Sequence, residues 1–168
     1  MPSFLEKVRS WLLDIPGAEP EGRKFSEAEI ASAALLVEAA AMDGQFDQGE
    51  RKTILGLIES RFKLSADEAT RLLGLGEKLQ SQSNEVFKFT LAANRSFSEE
   101  ERIELVEMMW TTVLCDGVVH DYEGNLMRRI AGLLYVPDKA AGEARKRAEQ
   151  KLAQGTVGVG GKGQGDMA

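Results

Sequence analysis

Asp43-Gly44-Gln45-Phe46-Asp47-Gln48-Gly49-Glu50 returns later in the chain as Asp116-Gly117-Val118-Val119-His120-Asp121-Tyr122-Glu123. Both stretches read Asp-Gly, five residues, Glu, and 116 − 43 and 123 − 50 give the same displacement of 73 positions. The flanking apolar residues follow that displacement: Ile30 with Ile103, Val37 with Trp110, Phe46 with Val119, Leu57 with Ile130, Phe62 with Tyr135. One repeat of this length predicts two related helical halves, because a solenoid needs three or more shorter units.

Outward from the two corners the chain punctuates itself as helices. Ser26-x-x-Glu29, Ser65-x-x-Glu68 and Ser98-x-x-Glu101 are capping boxes, in which serine and glutamate side chains satisfy first-turn N–H groups. Behind the first lie Ile30, Ala33, Leu36, Val37 and Ala40, and behind the third Ile103, Val106, Met109, Trp110 and Val113, each set on one helical face. A further helix follows each Asp-Gly, one carrying Ile54, Leu57, Ile58 and Phe62, the other Leu126, Met127, Ile130, Leu133 and Leu134. Pro137 is expected to end the latter. Helices are also predicted over Ala66–Gln80, Glu85–Ala93 and Lys139–Ala153, with Gly74 and Gly76 weakening the end of the first. Nothing asks for a strand. The expectation is an all-α fold, a single compact domain of about seven to eight helices. It covers residues 25–153, between an amphipathic helix (Phe4, Val8, Trp11, Leu12, Ile15) and linker over 1–24 and a glycine-rich, disordered tail over 154–168.

Composition removes several classes of function. The chain has 168 residues, 43% hydrophobic and 29% charged, enough for a real core. A net charge of −6 argues against nucleic acid as partner. One cysteine excludes an internal disulfide framework. Charged Glu6, Lys7 and Arg9 break any signal-peptide core, and no apolar run approaches the ~20 residues that span a bilayer. Membrane association through the first helix is not expected, and the cytoplasm is the expected location. No triad spacing or phosphate loop suggests an enzyme.

The corners carry the chemistry. On a purely structural account, Gly44 and Gly117 close helices, and Asp47 with Glu50 forms a fourth capping box. That account leaves Asp43 and Asp116 at the negative ends of their helix dipoles, a placement costing ~0.3–1 kcal/mol each. A divalent cation shared by Asp43, Glu50, Asp116 and Glu123 reverses the sign, and oxygen-only ligands favour calcium, magnesium or manganese. The spacing matches the second half of an EF-hand loop, but Ala39 and Ala41, or Thr112 and Leu114, occupy the first ligand positions and reject it.

With Leu36-Val37-Glu38-Ala39-Ala40-Ala41-Met42 ahead of the first corner, Arg51 and Ile54 behind it, and Leu64-Ser65-x-x-Glu68-Ala69 beyond, the chain resembles the TerB family associated with tellurite resistance. The resemblance covers roughly Phe25 to Lys151. It implies an α-helical fold of two halves with an acidic metal-binding surface at Asp43, Glu50, Asp116 and Glu123. It also implies a role in chemical stress, often within larger assemblies, so a protein partner or a homo-oligomer is expected. The alternative is an adaptor whose acidic face meets a basic partner without metal. In the second copy His120 replaces Asp47, a helix-start residue before it is a ligand. Cys115 is expected to be a buried, inert thiol, Met108, Met109 and Trp110 core, and Arg145–Lys151 a solvated helix end.

Overall fold

The computed structural model describes residues 24–43, 47–82, 86–115 and 121–154. Among them are seven α-helices and no strand. They are α1 (Glu27–Ala40), α2 (Gln48–Phe62), α3 (Ala66–Gln82), α4 (Val86–Ser96), α5 (Glu99–Leu114), α6 (Asp121–Leu133) and α7 (Asp138–Gln154), with a 3₁₀ turn, Ala41–Asp43, closing α1. The all-α reading therefore holds. The N-terminal helix and the glycine tail expected from sequence lie outside the described residues.

All four capping boxes form. Glu29 N donates to Ser26 Oγ at 3.1 Å and Ser26 N to Glu29 Oε1 at 2.9 Å. The same exchange links Ser65 with Glu68 and Ser98 with Glu101. Glu101 consequently sits below its ordinary pKa: the Ser98 N–H favours the carboxylate most, outweighing burial, with the Ser98 hydroxyl and Arg61 adding to it.

α1 is the central element. It packs on α3, α4 and α5, and buries apolar side chains on all sides, from Ala28 and Ile30 to Ala39 and Ala40. Its one buried hydroxyl, Ser32, donates back to Ala28 O at 2.8 Å. The alanines permit a close approach: a Cβ added to Gly76 of α3 would lie 2.7 Å from Ala33 Cβ and 2.8 Å from the Ala33 carbonyl carbon. Here the sequence expectation needs correcting. Gly76 does not weaken the end of α3, which runs on to Gln82; its missing side chain is what lets α3 lie against α1.

The repeat is larger than the corner. Both second helices are followed by a non-glycine residue in the left-handed region, Lys63 (φ 56°) and Tyr135 (φ 57°), so that Tyr135 answers Lys63 and not, as the sequence suggested, Phe62. The next residue then donates back across the turn, Leu64 N to Glu59 O at 3.0 Å and Val136 N to Ala131 O at 2.9 Å. This turn, with Asn94 Nδ2 and Arg102 Nε capping the carbonyls of Leu133 and Leu134, ends α6 before Pro137 is reached. α3 and α7 then start and stop in step, 17 residues each. The described residues form a three-helix unit built twice, α1–α3 and α5–α7, joined by α4. In each unit the first helix packs extensively on the third.

Candidate functional site

The 3₁₀ turn brings the chain from α1 to Asp43, with Ala41 N–H donating to Val37 O. Neither α1 nor α5 has a basic residue in its last turn to compensate an acid there. Beyond the corner, Asp47 is the N-cap of α2: Glu50 N donates to Asp47 Oδ1 at 2.8 Å, and Asp47 N to Glu50 Oε1 at 3.1 Å. The capping part of the purely structural account is thus real, and Glu50 serves it.

Glu50 and Glu123 occupy the same place in sister helices, the third residue of α2 and of α6, and each is only 6% exposed. A carboxylate so withdrawn from water is held by positive charge or donated hydrogen bonds. The cap supplies one such bond to Glu50, and both Glu50 and Glu123 make further interactions within the protein. Of the four expected ligands, the structure thus places Glu50 and Glu123 as equivalent buried acids. It fixes the backbone of Asp43 at the end of its turn. The Asp43 side chain, Asp116 and His120 lie outside what is described. Among the described residues, no group of three or more His, Cys, Asp or Glu side chains stands together to hold a metal.

Two side-chain groups escaped the sequence reading. Glu107, on the buried face of α5, accepts from Arg147 Nε at 2.7 Å and from Lys151 Nζ, both on α7. Burial pushes its pKa up, but the Lys151 and Arg147 hydrogen bonds and charges more than reverse that and hold it below the ordinary carboxylate value. Arg145 lies over the Trp110 ring, 4.5 Å from its centroid. The stretch Arg145–Lys151 is therefore not simply a solvated helix end: three of its cations cover α5. The available signal was Glu107 itself, an acid inside the apolar run Val106-Glu107-Met108, which demands a cationic partner. Met108, Met109 and Trp110 are core, as expected. Cys115 is half-buried, not buried, because α5 leaves the core at Leu114.

A family model described as tellurite resistance protein TerB matches residues 29–146, spanning both corners and the start of α7. No curated protein and no solved structure matches.

Proposed function

The chain belongs to the TerB family of tellurite resistance proteins, and from that premise we propose that it is a non-catalytic stress protein whose two acidic corners bind a divalent cation. Asp43, Glu50, Asp116 and Glu123 are the ligands, and Asp47 orients Glu50 through the cap. The observation that carries this reading is the pair Glu50 and Glu123, two acids buried to the same extent at the same step of a repeated turn. Each follows a helix whose negative end carries an aspartate or leads into one, with no basic side chain in the last turn. A cation at these corners offsets the aspartates at the negative helix ends, and an all-oxygen set selects calcium, magnesium or manganese.

One observation favours a second reading, an adaptor for a basic partner in the same cytoplasmic setting. An open groove of about 670 Å³ between α5 and α7 is lined by five glutamates against Arg61, Arg147 and Lys151, with Arg61 holding Glu101 and Glu104 at 3.4 and 3.0 Å.

Thermal melts with added calcium, magnesium or manganese separate the two. At about 100 times Kd, mass action raises Tm by roughly 5–10 °C for a domain of this size. That rise is expected in the wild type and is lost in Asp43→Asn/Asp116→Asn. An unchanged melt with every ion, and no ion retained in a native mass spectrum, overturns the cation site and leaves the adaptor.

A further inference from the structure

A second site lies in the valley between α6 and α7, and its character emerges by setting it beside the same valley of the first unit. There, α2 and α3 are bridged by the Arg51–Glu77 ion pair, Leu73 is fully buried, and Leu55 packs against the core. In the second unit Gly124 follows the buried Glu123 where Arg51 follows Glu50. Gly142 stands four residues into α7 where Thr70 stands four into α3, and Arg128 and Arg145 replace Leu55 and Leu73. Glu149, the counterpart of Glu77, has lost its partner across the valley and pairs with Arg145 on its own helix at 3.3 Å.

What results is a cavity of about 360 Å³. Its floor is apolar: Trp110, Met127 and Ala131, all buried. Its walls carry Arg128 and Arg145 against the acid Asp138, and Arg145 also pairs with Glu149 of its own helix. Neither glycine is there for its backbone or for close packing. Both sit inside helices, and a Cβ on either meets nothing within 4 Å. Each costs its helix stability relative to alanine, and what the absent side chains leave is room.

We propose that this cavity binds a small organic monoanion, its flat apolar body against Met127 and Ala131 beside Trp110 and its carboxylate on Arg128 and Arg145. The volume falls in the range of small-molecule sites, and apolar walls with a few convergent polar groups are their usual lining. Planar guanidinium groups match a carboxylate bidentately. The stack on Trp110 holds Arg145 in place before any ligand arrives.

The test uses the full chain carrying Trp11→Phe, so that Trp110 is the one tryptophan left, and reads its indole N–H resonance during titration with 2-naphthoate. A fragment of that size is expected to saturate with a Kd of about 1 mM. The neutral analogue naphthalene-2-methanol should bind at least about tenfold more weakly. Gly124→Arg/Gly142→Thr, which copies the first unit and offers Glu149 its cross-valley partner again, should melt no lower than the parent and abolish saturation. Arg145→Leu should weaken naphthoate while leaving the neutral analogue unchanged. The proposal is overturned by any of three results: no saturable shift up to about 10 mM naphthoate, equal binding of the neutral analogue, or undiminished binding in the glycine-filled variant. Displacement by an equal concentration of inorganic phosphate also overturns the organic class of ligand.

Discussion

In the first three-helix unit, Leu35 of α1 and Leu75 and Leu79 of α3 lie in the core, each at most 2% exposed. Counted from the helix starts, which lie 72 positions apart (Glu27 and Glu99, Ala66 and Asp138) where the corners lie 73 apart, the matching residues of the second unit are Glu107, Arg147 and Lys151, and they form an ion-paired cluster. One backbone plan thus accommodates an apolar and a charged solution to the same contact. The difference follows from position. α1 is surrounded by α3, α4 and α5, whereas α7 lies on the outside, with Arg147 and Lys151 roughly half exposed. A charge on α7 keeps its contact with water while it neutralises Glu107, so the desolvation that makes buried ion pairs unfavourable is only partly incurred. The same charge in α3 would have no water to reach.

The tightness of the first unit is the part of this contrast most easily broken. Gly76→Ala gains roughly 1 kcal/mol of intrinsic helix propensity, yet its Cβ would stand 2.7 Å from Ala33 Cβ and 2.9 Å from Ala34 N. The obstacle is largely backbone of the central helix, which has neighbours on every side. A net loss of roughly 2–3 kcal/mol is expected, read as a lower urea midpoint. The counterpart of Gly76 in α7 is Ala148, which is fully buried, so the second unit already tolerates the methyl group. A neutral Gly76→Ala would show that α1 and α3 lie no closer than α5 and α7, and the contrast between the units would fail there.

The charged contact sharpens the comparison. Glu107→Ala should cost about 1–2 kcal/mol, less than breaking a fully buried pair because Arg147 and Lys151 can turn to solvent. Replacing the trio by leucines (Glu107→Leu/Arg147→Leu/Lys151→Leu) imports the first unit's solution and should be neutral or stabilising. The two solutions differ in pH dependence. The folded-state pKa of Glu107 is depressed. Its contribution is therefore fully present above the unfolded glutamate pKa of about 4.3 and is lost as pH falls through the lower folded value. Denaturation series between neutrality and pH 3 should show this loss in the wild type and not from this site in the leucine variant. Parallel curves for the two proteins would mean that the cluster adds nothing to folding.

Legibility in the sequence followed the range of the interactions. All four capping boxes were readable because a cap is settled within four residues, and the helices followed from them. The left-handed turns at Lys63 and Tyr135 were not, since neither carries the glycine that usually marks such a turn. With those turns hidden, Ala66–Gln82 and Asp138–Gln154 looked unrelated: one presents leucines where the other presents cations. Gly76 was legible as a weakness of its own helix and not as a contact, because its reason lies in Ala33 of another helix. At the corners, the sequence correctly paired Glu50 with Glu123 and Asp47 with a cap. That both glutamates are buried depends on packing between helices, which local spacing does not encode.

The smallest expected difference lies at the corners. Asp47 caps α2 with two bonds in hand, whereas the residue before the first turn of α6 is His120. Asp47→Ala should cost about 1 kcal/mol, the ordinary loss for removing an N-cap acid. His120→Asp, which gives the second unit the first unit's cap residue three positions ahead of Glu123, should gain roughly 0.5 kcal/mol. The two changes also divide the possible roles of the buried glutamates. If Glu123 serves mainly to stabilise its helix, His120→Asp raises stability with or without divalent cation. If Glu123 is a ligand, the new cap orients it as Asp47 orients Glu50, and the cation-induced rise in Tm grows on top of any gain in the metal-free protein. Melts of that one variant, with and without ion, therefore test whether the second corner is only a turn or also a site.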